Sequence, residues 1–370
     1  MNRASFSDIS PERLLSLLRQ MLEIYSPSGK ETELVQFLQQ ELADRKLPVT
    51  AQIVDDERQN LLVLPKGKMS LCFIGHVDTV PTSDLDSFAC TENDGRIFGL
   101  GAADMKSGCA AMIEALSVLY HRLGDNCPVG LALLVGEEEN GDGAEALLRE
   151  YQFPYAIVGE PTELMPCLDH FGYLEMTAEV KGLRRHASLA DASLHPIEGL
   201  LHFTMDLVGF LKTDCKELTY NLRDLTSSQA GFAVPEWAKV SFDIHLPPWM
   251  QTPDEIESSI RALHDASRLR FSDLESHLSF PTMVPGYRIR EEGPFVDRLK
   301  RAFFQCDLPF FPQSFVSHSD ANLLMEAGTA PVILGPGSLM MAHAPDECVP
   351  EDQVVRAAEL YLNIGLSMSE

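Results

Sequence analysis

The chain has 370 residues, 45 % hydrophobic and 23 % charged, with 55 acidic against 29 basic side chains and a formal charge of −26. That length suggests two domains, and the acidic balance argues against nucleic acid or an anionic membrane as partner, since both need a basic face. No apolar run reaches the length of a membrane span, and the eight cysteines form no C-x-x-C pair, as expected of buried thiols in a reducing, cytoplasmic compartment.

The N-terminal stretch MNRASFSDISPERLLSLLRQML lacks the uninterrupted apolar core of a signal peptide. Ser10 reads as the cap of a helix, with Pro11 in its first turn and leucines at helical spacing. Residues 70–76 (SLCFIGH) read as a strand, 105–122 as a helix, 129–135 (VGLALLV) as a strand, 143–151 as a helix and 155–159 (YAIVG) as a strand. Continuous apolar strands joined by helices indicate an α/β fold, a mostly parallel sheet sandwiched by helices. From about residue 174 the character changes: LEMTAEVKG and WAKVSFDIHL alternate apolar and polar residues around a helix near 196–212. This reads as an inserted α+β domain with one solvated sheet face. After FPTMVPGY (280–287) the first pattern returns, with helix 294–305, strand 331–335 and helix 351–366. The expected division is 1–174 and 285–370 for the main domain and 175–284 for the insertion.

The polar clusters fall at strand ends. His76 and Asp78 close the first strand, and Asp104 stands just before a helix. Glu137, Glu138 and Glu139 follow VGLALLV, Glu160 follows YAIVG, and His343 lies beyond the strand at 331–335. Taken singly, each has an ordinary structural reading: an acidic triplet is a solvated turn, an Asp before a helix is a cap. Together they are expected on one edge of one sheet, because ligands of parallel sheets bind beyond the carboxyl ends of the strands. Converging carboxylates must protonate or find cations. Two histidines with several carboxylates suit zinc, with cobalt or manganese as substitutes, and two divalent ions would offset the charge. Between paired ions a water loses its proton near neutral pH and attacks a polarised carbonyl, while a carboxylate off the metals carries the proton to the leaving amine.

The segments GHVDTVP, GLGAADMKSG, GEEENGDG, VGEPTE and AHAPDE resemble the motifs of a co-catalytic, di-zinc metallohydrolase family. That family includes acetylornithine deacetylase, succinyl-diaminopimelate desuccinylase, aminoacylase and carboxypeptidase G. The resemblance implies a di-zinc aminopeptidase-like fold with a lid that also forms a homodimer interface. It makes His76 and Glu160 terminal ligands of one metal, His343 and Glu139 those of the other, and Asp104 the bridging carboxylate. Alignment on Gly141 makes Glu138 the general base. Asp78 matches the acid that orients the histidine ligand, and the peptide bond after Asp104 is expected to be cis. In the insertion, KGLRRHASL is similar to the segment whose histidine, here His186, stabilises the oxyanion.

Departures from the family concern substrate. FAVP, with Phe232, stands where an asparagine is common, and FDIHLPP places His245 where an arginine holds the substrate carboxylate. Either another base such as Arg184, Arg185 or Arg288 holds that carboxylate, or the substrate differs. In SHSDANLL, His318, Ser319 and Asp320 either line the substrate pocket or form a capped helix start. The resemblance and the cluster together imply hydrolysis of the amide bond of an N-acyl amino acid, of the acetylornithine or succinyl-diaminopimelate kind found in amino-acid biosynthesis. An aminopeptidase or dipeptidase acting on short peptides, or a metal-binding protein without catalysis, are the alternatives.

Overall fold

The computed structural model describes residues 8–82, 88–271 and 273–369; the first seven residues of the N-terminal stretch read above lie outside them. The chain forms two compact units. The first comprises the chain up to Leu168, Ile289–Phe315, and the chain from Ser319 onward; the second comprises Asp169–Arg288 with Val316–His318. The second unit begins earlier and ends later than the change of sequence pattern, because Tyr287 and Arg288 pair with His170 and Asp169 in one short antiparallel ladder.

In the first unit the sheet runs in the spatial order Val49–Ile53, Gln59–Val63, Val129–Leu134, Leu71–His76, Tyr155–Val158, Ala330–Ile333 and Cys167–His170. Its central members, from Val129–Leu134 to Ala330–Ile333, are parallel. Strict alternation divides them between two buried faces. Leu71, Phe73, Leu131, Leu133 and Ile157 join the core built by helices Pro11–Leu22, Ser107–Leu123, Pro294–Gln305 and Glu351–Ser367. Cys72, Ile74, Ala132, Leu134 and Val158 face the other way and are equally buried. A strand buried on both faces must be apolar throughout, which is why these segments show no period-two polarity. Ser10 caps the first helix, its hydroxyl accepting from the Arg13 N–H. Among the described residues no helix is long and apolar enough to cross a membrane.

A buried charge fixes how the first helix meets the central one. Glu114 is fully buried on Ser107–Leu123. Its carboxylate accepts from the guanidiniums of Arg13 and Arg45 and from the Ser10 N–H. Removing one partner of such a pair strands the others in low dielectric.

The second unit is a sheet in the order Thr219–Ser227, Trp237–Leu246, Gly172–Lys181 and Glu275–Ser279, antiparallel throughout. Leu174, Met176, Ala178 and Val180 pack with helices Pro196–Thr213 and Pro253–Arg268 into a second core. On the opposite face Arg223 bridges Glu175 and Asp243. Strand Thr219–Ser227 is an exposed edge. The unit also gathers histidines among aromatic rings. His170 stacks on Tyr287 with ring centres 5.1 Å apart, and Tyr173 stacks on His318 at 4.1 Å and lies 5.3 Å from His245. Burial, together with the neighbouring His318 and His245, pushes His170 down to about 3.

Two outcomes follow from these buried groups. Glu114→Gln is expected to lower the stability of the first unit by about 3 kcal/mol, read from chemical denaturation. His170 stays neutral in the folded chain but charges when unfolded below its ordinary value of 6.5. Its contribution is therefore present above that pH and is lost as pH falls toward 3, at about 1.4 kcal/mol per pH unit. The urea midpoint of the wild type should accordingly fall faster between pH 7 and 5 than that of His170→Phe; equal slopes would refute this.

Candidate metal centre

The carboxyl ends of the parallel strands bring the polar residues together. His76 is the last residue of Leu71–His76 and is paired with Leu134, the last of Val129–Leu134. The Val77 N–H donates to the Leu134 carbonyl at 2.9 Å and the Gly159 N–H to that of Ile74 at 3.1 Å. The acidic loop after Leu134 and the loop bearing Glu160 thus flank His76. Close approach of the following helix is needed to complete the group. A Cβ on Gly108 would lie 2.2 Å from the Gly159 carbonyl oxygen, so only glycine lets helix Ser107–Leu123 reach this edge. Just before that helix, Asp104 has extended backbone (φ −117°, ψ 96°), and the Asp104–Met105 peptide is cis.

Two groups of potential ligands result, and they share Asp104. In one, His76 Nε2 lies 3.1 Å from Asp104 Oδ1 and 3.6 Å from Glu160 Oε1. In the other, His343 Nε2 lies 3.5 Å from Asp104 Oδ2 and 3.1 Å from Glu138 Oε2. Within each group the ligand atoms all lie within 4.8 Å of one another. The two oxygens of Asp104 face different histidines, as a carboxylate shared between two cations would.

Asp78 organises this arrangement from beneath. It is fully buried and accepts from the Ser28 hydroxyl at 2.7 Å and from the N–H groups of Glu137 and Glu138 at 3.2 and 3.0 Å. His76 Nδ1 lies 3.0 Å from the Asp78 carbonyl and 3.6 Å from its carboxylate. A proton on Nδ1 satisfies that carbonyl and leaves the Nε2 lone pair for a cation.

The electrostatics call for positive charge. Burial, with neighbouring Glu160, Asp320 and Glu138, pushes Glu137 well above the usual carboxylate range, and burial with Asp104 does the same to Glu160. Burial opposes the charging of His76, but hydrogen bonds to Asp104 and Asp78 and the charges of Glu160 and Glu137 overcome it and hold the imidazole well above its ordinary value. Imidazole nitrogen and carboxylate oxygen, in a cluster buried except at His343 and Glu138 and with surplus negative charge, fit divalent transition ions.

The acidic loop corrects the alignment on Gly141. Glu138, not Glu139, joins Asp104 and His343, while Glu139 is exposed and belongs to neither group. The turn begins at Gly136, whose φ of +77° few other residues adopt, and closes with the N–H groups of Asn140 and Gly141 on the Gly136 carbonyl. Because Asp78 holds the Glu137 and Glu138 amides, those two side chains remain at the sheet edge. Glu137 is nearly buried, its side chain 11 % exposed, with Oε2 3.9 Å from His76 Nε2, and lies outside both groups.

The remaining residues divide between the units. Ser319 is the cap of helix Asp320–Glu326, its hydroxyl accepting from the Ala321 N–H. Asp320 is buried, with Oδ1 against Gly141 of the acidic loop, and burial pushes it up to about 7. His186, Arg184, Arg185, His245 and His318 belong to the second unit, and both ligand groups are built wholly from the first. Arg184 donates to the carbonyls of Gln229 and Ala230, and Arg288 pairs with Asp169 at 3.1 Å. His245 is partly buried, with no hydrogen-bond partner for Nδ1, and burial lowers its proton affinity. It is thus a neutral ring rather than a substitute guanidinium. Sequence reasoning missed Glu347, a buried carboxylate bonded to the Asp104 loop, although it stands in the quoted AHAPDE motif.

The chain is 28 % identical over 95 % of its length, and 85 % of the relative's, to a probable carboxypeptidase of Paracoccidioides brasiliensis. It is 27 % identical to the acetylornithine deacetylase of Edwardsiella ictaluri, over 87 % of each chain. The fold matches that of the metallo-carboxypeptidase Sso-CP2 from Sulfolobus solfataricus with a TM-score of 0.78, covering 96 % of this chain and 99 % of the other at 16 % identity. Residues 72–366 match Peptidase family M20/M25/M40. The chain belongs to that family, and is an enzyme that hydrolyses amide or peptide bonds.

Proposed function

We propose that the enzyme hydrolyses the amide bond of an N-acyl amino acid, with Glu137 moving the proton. The observation that carries this reading is a nearly buried carboxyl, Glu137, beside two cation groups that share Asp104 yet outside both. A centre that only stored metal would have no use for a carboxyl kept off the ions. His76, Asp104 and Glu160 would hold one divalent ion and Asp104, Glu138 and His343 the other, with zinc the first choice and cobalt or manganese alternatives. Such ions, when bound, supply Lewis acidity toward the acyl carbonyl and toward water. Glu137 takes the proton of the attacking water and returns it to the nitrogen of the departing amine, a task that suits a carboxyl whose proton affinity burial has raised.

His186 is the candidate oxyanion donor. The Ser188 N–H donates to its Nδ1, so the neutral ring carries its proton on Nε2, the atom free to donate to an oxyanion. The two relatives named above point to one bond type, since a deacetylase and a carboxypeptidase both release an amino acid from an acyl group. A second reading, an aminopeptidase or dipeptidase, is favoured by Asp320, an additional buried carboxyl able to pair with a free ammonium.

The deciding experiment measures amine release from N-acetyl and N-succinyl amino acids and from unblocked dipeptides, with zinc, cobalt or manganese added. The wild type should cleave the acylated set; cleavage of dipeptides alone would establish the second reading. Glu137→Gln should lose about a thousandfold in kcat with metal content retained, and Glu139→Gln should behave as wild type. Full activity of Glu137→Gln would refute the assignment.

We further propose a homodimer through the second unit. Leu222 and Leu225 lie exposed on edge strand Thr219–Ser227, and Leu201 and Met205 on helix Pro196–Thr213. Sedimentation should show a dimer that Leu225→Asp weakens; a wild-type monomer would exclude it.

A further inference from the structure

Glu347 ends the HAPDE segment that begins with His343. It is 5 % exposed, and both its oxygens are used. Oε1 accepts the N–H groups of Ala103 and Asp104, each at 2.9 Å, and Oε2 accepts that of Gly101 at 2.7 Å. Its main chain is tied to the same loop, the Gly99 N–H donating to the Glu347 carbonyl at 3.2 Å. These amides precede helix Ser107–Leu123 and have no place in its hydrogen-bond ladder, so the carboxylate supplies the acceptors that a buried backbone requires.

The consequences reach both ligand groups. Asp104 is their common member and lies in the loop that Glu347 holds. His343 lies at the other end of the HAPDE segment with a positive φ of 59°, outside any strand or helix. By contrast, His76 is set by the sheet itself. We infer that Glu347 is a positioning residue that joins the loop of the shared Asp104 to the loop of His343 and so preserves the spacing of the Asp104–Glu138–His343 group. The inference rests on the reading of these residues as cation ligands. A carboxylate spent on backbone amides acts through Asp104 and His343 rather than on substrate, as supporting groups of metal sites do. Its loss should fall on one ion more than the other, because the Asp104–Glu138–His343 group draws its histidine from a loop.

The test is a cobalt titration of the metal-free protein, followed by visible absorption and calorimetry, with thermal melts of each variant. The wild type should bind two equivalents. Glu347→Gln removes the charge, and Glu347→Asp draws it back from the amides; each should weaken one equivalent by about 10–100-fold and the other by clearly less. Glu114→Gln, destabilised at a distance from the site, should keep both affinities and so separates positioning from general loss of stability. The inference is overturned if either folded Glu347 variant binds both ions as the wild type does, or if Glu114→Gln weakens one ion equally. A wild type that binds fewer than two ions would instead overturn the metal-centre reading beneath it.

Discussion

Mutual repulsion of carboxylates gathered at one sheet edge is the constraint on which the rest of this structure depends. Asp78, Asp104, Glu137, Glu160 and Asp320 are all buried or nearly so around His76. Charges so close in a medium of low dielectric cannot all persist unless hydrogen bonds or cations stabilise them. The protein supplies backbone amides to those that serve as anchors, above all Asp78 and Glu347. Burial raises the proton affinity of Glu137, Glu160 and Asp320, whereas the hydrogen bond and charge of His76 lower that of Asp104. The division between anchored and unanchored acids separates scaffold from chemistry.

Precision at this edge comes from packing beneath it. The strands are buried on both faces, and helix Ser107–Leu123 approaches them without side chains in the way at Gly108. The same helix carries Glu114, whose pairing with Arg13 and Arg45 ties the N-terminal helix to it. A cluster of mobile acids would relax apart; here each sits on a segment whose position the sheet or its neighbouring helix decides.

The second unit has different physics. Its sheet has one apolar face and one polar face, and its core is separate. His170 and His245, whose proton affinity burial lowers, lie against the rings of Tyr287 and Tyr173.

Much of this was legible in the residues alone. Continuous apolar strands announced a parallel sheet buried on both faces, and the placement of His76, Asp104, Glu160 and His343 at strand or helix ends announced the edge where they would meet, since period and termination are local properties of a chain. Which two of Glu137, Glu138 and Glu139 stay at that edge was not local. It depends on the Asp78 carboxylate holding the amides of Glu137 and Glu138, and on the number of residues the turn from Gly136 requires before the next helix. The role of Glu347 was equally hidden, because its partners are backbone N–H groups in a loop far away in sequence, and backbone amides have no sequence signature. The sequence thus determined which kinds of side chain would assemble and on which edge, while only the tertiary structure decided which two of three adjacent glutamates face the cluster, because that choice is made by hydrogen bonds between segments distant in the chain.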